Sequence, residues 1–131
     1  DADAFYTAAH LAQYSHPLRK QPCLDKITDG VEDLLRQIAQ ALRDLGTDYQ
    51  IIIPPHYASE AISSADLYRL ESIFGNERVH DYSHDPVMGG DLHYYYDDGH
   101  LIASACAHLM DSAYAAVTLP SPYLGGSKVE K

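Results

Sequence analysis

Asp97 and His100 stand three residues apart in the stretch Tyr94-Tyr95-Tyr96-Asp97-Asp98-Gly99-His100-Leu101, just before an amphipathic run. In a loop, that spacing lets a carboxylate accept from one imidazole nitrogen while the other nitrogen faces a nucleophile, which makes His100 a competent general base. Asp98 offers a second carboxylate that could orient the same ring; the spacing favours Asp97. His56 follows Pro54-Pro55 at the end of a β-branched run. Open α/β sheets place ligands at such strand ends, so His56 is a candidate to line the same cleft, the alternative being a solvent-facing loop histidine. Tyr95, with Tyr94 and Tyr96 beside it, is a candidate for stacking on a sugar or acyl group. The competing use of the run is a period-two edge strand with alternate rings in the core.

Other reactive side chains have plainer uses. His80, His84 and His93, with Asp81, Asp85 and Asp91, make a stretch that could hold a divalent ion. Its spacing matches no zinc pattern such as His-Glu-x-x-His, so a polar loop is preferred and no metal ligand is assigned. Ser59, Ser63 and Ser64 could approach His56, but helix capping accounts better for Ser63 or Ser64. Cys23 and Cys106 form no Cys-x-x-Cys pair and read as two buried thiols, with one disulfide as the option in an oxidising compartment. On the last helix, Cys106 falls on the apolar side and His108 is expected to be exposed.

These residues need a scaffold. A short helix is expected over Ala4 to Tyr14, within an N-terminal arm (1–27) interrupted by Pro17 and Pro22. Asp29, with Glu32 three residues on, reads as the cap of a helix whose Val31, Leu34, Leu35, Ile38, Leu42 and Leu45 recur at helical spacing up to Gly46. Tyr49-Gln50-Ile51-Ile52-Ile53 reads as a strand buried on both faces, stopped by Pro54-Pro55. Ser64 then caps a second helix with Leu67, Leu70, Ile73 and Phe74, ending at Gly75, and Arg78 to Tyr82 makes a second strand. A third helix is expected over Leu101 to Tyr114, with Leu101, Ala105, Leu109 and Ala113 on one stripe. The tail from residue 118, with Pro120, Pro122, Gly125 and Gly126, reads as a flexible end. Alternating helix and strand favour a layered α/β architecture with right-handed crossovers.

The chain of 131 residues suits a single α/β domain. A formal charge of −10, from 19 acidic against 9 basic residues, argues against binding nucleic acid or an anionic membrane, which demand concentrated positive charge. Eight histidines make that charge pH-sensitive. No run approaches the ~20 apolar residues of a membrane span, and the first residues show no basic start followed by an apolar stretch, although a removed signal peptide or an upstream membrane anchor would leave no trace in this sequence.

The aromatic run, the Asp-x-x-His spacing, the Gly-His-Leu within it and the amphipathic helix after it together resemble the closing segment of SGNH (GDSL-type) hydrolases. In that family the Asp and His of the catalytic triad lie just before the last helix. The helix Val31 to Leu45 followed by Tyr49 to Pro55 is similar to a helix–strand unit in the second half of these proteins, and the resemblance spans roughly Thr28 to Ala116. It implies a three-layer α/β fold of flavodoxin-like type, with helices on both faces of a mostly parallel sheet. It also implies ester hydrolysis or acyl transfer on a small ester or an acylated carbohydrate, with His100 as base, Asp97 as its orienting acid and no cofactor. Relatives of this kind often belong to the cell envelope, so a bacterial periplasmic or envelope location is one the resemblance allows. The family's Gly-Asp-Ser block is missing: Asp111-Ser112 comes after His100 and inside a helix, and no Gly-x-Ser-x-Gly elbow replaces it. Two strands stand where such a sheet has about five. The expectation is therefore the C-terminal half of an SGNH-like domain, or a reduced relative that has lost its nucleophile. The alternatives are a non-catalytic binding or structural module, or a metal-binding protein using the His/Asp-rich loop.

Overall fold

The computed structural model describes residues 6–14, 25–57, 61–97 and 99–118. Its elements are α1 (Ala8–Tyr14), α2 (Asp29–Asp44), β1 (Ile51–Ile53), α3 (Ser64–Phe74), β2 (Val79–Asp81) and α4 (Ala103–Thr118), with 3₁₀ turns at Asn76–Arg78 and Leu92–Tyr94. Cys23, Ser59, Asp98, most of the N-terminal arm and the tail from 119 lie outside the described residues, and so do the expectations attached to them.

Both helix starts are set one residue earlier than the spacing predicts. Thr28, not Asp29, caps α2, because it has the extended backbone of a cap and its hydroxyl accepts from Val31 N. Asp29 and Glu32 sit instead in the first turn, where negative charge meets the positive end of the helix dipole. Ser63, not Ser64, caps α3 and accepts from Asp66 N at 3.1 Å. The chain leaves α3 through Gly75 at φ +95°, a backbone setting that a side chain would strain.

The strands pair in parallel, with Ile51 opposite Val79, Ile52 opposite His80 and Ile53 opposite Asp81. Parallel neighbours cannot be joined by a tight turn, so α3 carries the crossover. Tyr82 N extends the ladder by donating to Ile53 O at 2.9 Å. Ala39 of α2, Ile73 and Phe74 of α3 and Val79 of β2 form the buried cluster, onto which Leu35, Leu42, Tyr49, Ile51, Ile53, Leu67 and Leu70 pack. On α4, Ala105, Leu109 and Ala113 are buried at four-residue spacing, and the helix touches β1. The architecture is thus mixed α/β around a small two-stranded parallel sheet.

Several boundaries differ from the sequence expectation. Each strand has three residues, and the three isoleucines of β1 are half-buried rather than buried on both faces, because each strand has one neighbour among the described residues. Arg78 stays outside β2. Its guanidinium lies 4.7 Å above the Tyr49 ring and donates to Tyr49 O and to the Asp48 carboxylate, which holds it in the turn. The apolar face of α2 is wider than the core that meets it: Leu35, Ala39 and Leu42 turn inward, while Val31, Leu34, Ile38 and Leu45 are exposed. The last helix runs from Ala103 to Thr118, not from Leu101 to Tyr114. Cys106 is exposed rather than packed, because it lies one position beyond the buried Ala105. Among the described residues, no helix is long and apolar enough to cross a membrane.

Candidate active site

The segment after β2 folds back on itself as a narrow hairpin. Tyr95 bridges Leu101 in antiparallel fashion, Tyr96 N donates to His100 O at 2.7 Å, and Ile102 N donates to Tyr94 O at 2.8 Å. The hairpin tip is closed by Asp97, whose Oδ1 accepts from Gly99 N and His100 N, each at 2.8 Å. Aspartate does this readily because its short side chain reaches backbone two and three residues on. The same turn swings the His100 ring onto the carboxylate, with Nδ1 at 2.7 Å from Oδ2 and 2.9 Å from Oδ1.

The electrostatics fix the proton. The backbone N–H of Gly99, and then the His100 side chain, hold the Asp97 carboxyl below the usual aspartate range. An ionised carboxylate only accepts, so His100 Nδ1 is the donor of this contact, and in the neutral ring Nε2 then carries the lone pair. The His100 side chain is 80% exposed, which leaves Nε2 open. This is the arrangement of a base held by its acid.

A second pair of the same kind was missed from sequence. Asp91 Oδ1 accepts from His93 N at 2.9 Å and lies 2.7 Å from His93 Nδ1, and the His93 N–H leads in holding the Asp91 carboxyl down. An Asp-x-His spacing was the available signal. Tyr6 joins this region to the N-terminal segment, its hydroxyl lying 3.0 Å from both His93 O and Tyr95 O.

The remaining candidates separate. His56 is exposed at the carboxyl end of β1, after the buried Pro55, and makes no hydrogen bond to the dyad. Tyr95 is fully buried, its ring centre 6.0 Å from that of Tyr57, so it is a core residue and cannot stack on a ligand. The exposed ring of the run is Tyr96. Burial, with Asp85 nearby, pushes the Tyr95 phenol up to about 12, and its hydroxyl has no hydrogen-bond partner among the described residues. Tyr95→Phe is accordingly expected to leave stability unchanged or raise it by up to about 1 kcal/mol, since an unpaired buried hydroxyl contributes nothing to the fold. Urea unfolding measures this, and a clear loss of stability would show that the hydroxyl has a partner.

Each histidine of the 80–93 stretch has its own partner. His80 Nε2 meets Gln50 Oε1 at 2.7 Å, and His84 Nε2 lies 3.7 Å from Asp81 Oδ2. Among the described residues, no three His, Cys, Asp or Glu side chains converge as a metal site. Four of the described serines spend their hydroxyls elsewhere: Ser63 donates to Asp25, Ser72 to Tyr68 O, Ser83 to Asp81 and Ser112 to His108 O. No described serine is hydrogen-bonded to His100. Comparison of the chain with family models, with curated proteins and with solved structures returns no match.

Proposed function

We propose that this chain carries the acid–base half of an SGNH-type serine esterase or acyltransferase site, within a three-layer, flavodoxin-like α/β domain. The observation that supports it is the 2.7 Å contact between His100 Nδ1 and the Asp97 carboxylate in a ring whose side chain is 80% exposed. In the proposed reaction, His100 Nε2 takes the proton of an attacking hydroxyl, and Asp97 stabilises the imidazolium that results. The ring then returns the proton to the departing alkoxide. The nucleophilic serine comes from outside the described residues or from a second chain, and the substrate is a small ester or an acylated carbohydrate.

Hydrolysis of p-nitrophenyl acetate by the chain and by His100→Ala tests the proposal. The chain should exceed the variant; equal rates would exclude catalysis by this chain alone. A second reading, a non-catalytic binding or structural module, draws on Asp91 and His93. There, the same turn chemistry makes the same contact with no further machinery beside it, so Asp97 can serve simply as a loop-former. Equal rates favour that reading.

A further inference from the structure

We propose that the cleft between the Asp85–Met88 turn and the first two turns of α4 binds a neutral polyhydroxylated ring, such as a pyranose sugar. The cleft measures about 460 Å³ and is lined by Asp85, Val87, Met88, Tyr94, Ser104 and His108 among others. That volume falls in the range of small-ligand sites. Neither Asp97 nor His100 belongs to it.

The lining sets the ligand chemistry. Asp85 Oδ1 accepts from Val87 N at 2.9 Å and Met88 N at 3.0 Å, which fixes the carboxylate and leaves Oδ2 for a donor. The turn behind it is tight: a Cβ at Gly89 would fall 2.9 Å from Asp85 O, and one at Gly90 2.8 Å from Pro86 O. Ser104 and His108, four apart on α4, present a hydroxyl and an imidazole from one helix face. A carboxylate takes only donors, whereas hydroxyl and imidazole both give and take. Val87, 62% exposed, and Met88 supply an apolar wall. A sugar ring matches this set, with hydroxyl donors around its edge and C–H groups on its faces. An anion does not, given Asp85 and a chain charge of −10.

Amide spectra of the ¹⁵N-labelled chain titrated with methyl β-glucopyranoside test the assignment. The expected result is saturable shifts at Asp85, Val87, Met88, Ser104 and His108, with a millimolar dissociation constant appropriate to a small open cleft. Asp85→Asn keeps an oxygen for the two backbone N–H groups but loses the free acceptor, and should weaken binding at least about tenfold. Ser104→Ala, at an exposed position with no hydrogen bond to another described side chain, should weaken it too without touching the fold. Glucose 6-phosphate should bind more weakly than the neutral glycoside. Shifts that never saturate, shifts scattered away from the cleft, undiminished binding by both variants or preference for the phosphate would each overturn the proposal. Binding is read from amide shifts and hydrolysis from nitrophenol release, so this assignment and the hydrolase reading fail separately.

Discussion

Under the proposed acid–base role, His100→Ala is expected to lower p-nitrophenyl acetate hydrolysis by about 100-fold, the contribution of a general base. Asp97→Asn should lower it nearly as far, and is the more informative variant. An asparagine Oδ1 still accepts from Gly99 N and His100 N, so the hairpin tip survives. Its amide, however, puts a donor where the carboxylate put an acceptor, 2.7 Å from His100 Nδ1. Since Oδ1 already accepts from two backbone N–H groups and lies farther from the ring at 2.9 Å, the amide favours a ring that accepts at Nδ1 and carries its proton on Nε2, the wrong nitrogen for a base. Folding lowers the Asp97 pKa, so its contribution to stability is present above the unfolded-state value and is lost as pH falls through the folded value. The orienting contact therefore holds at neutral pH and weakens only in acid. A pH profile in which Asp97→Asn matches the parent chain at pH 7 would sink this account of the turn.

Asp66→Ala should cost about 3 kcal/mol of unfolding free energy, because it strands several groups at once. The carboxylate is 2% exposed and accepts from Lys26 N and Ile27 N, the latter at 3.1 Å. Arg69 lies 3.7 Å from it, also reaches Ile27 O, and faces Glu32 of α2 at 3.7 Å. One side chain thus ties the segment entering α2 to the first turn of α3. Removing it leaves two backbone donors without their acceptor and takes one of the two carboxylates that face the Arg69 guanidinium. The cost stays near the lower end for buried ion pairs because the two N–H groups are only partly buried and water reaches them. Asp66→Asn, which keeps one acceptor, should lose roughly half as much. Chemical unfolding with an unchanged slope measures both. A loss under about 1 kcal/mol for Asp66→Ala would show that the tie contributes little.

The helices were legible in the sequence because their signals are local. Leu35, Leu42, Leu67, Leu70, Ile73 and Phe74 announce themselves by spacing, and Gly75 by its place at a helix end. Cap identity was less legible, since Thr28 and Asp29, or Ser63 and Ser64, offer equivalent side chains and only the backbone angle of each decides. Burial of β1 was misread because a run of three isoleucines records what a strand prefers, not how many neighbours cover it. The Asp97–His100 contact was legible as a spacing and has the expected geometry. Tyr95 was not resolved from its neighbours, since three successive tyrosines do not say which ring turns inward; the bridge to Leu101 settles that it is the middle one. Asp66 escaped notice because its partners lie 39 and 40 residues away, beyond any local pattern.

The orientation of the His100 ring is the claim on which the rest depends, and long-range ¹H–¹⁵N spectra of the imidazole read it directly. At neutral pH the account predicts a ring protonated at Nδ1 with an unprotonated Nε2, and a switch of tautomer in Asp97→Asn. A ring protonated at Nε2 in the parent chain, or one unaffected by Asp97→Asn, would contradict it.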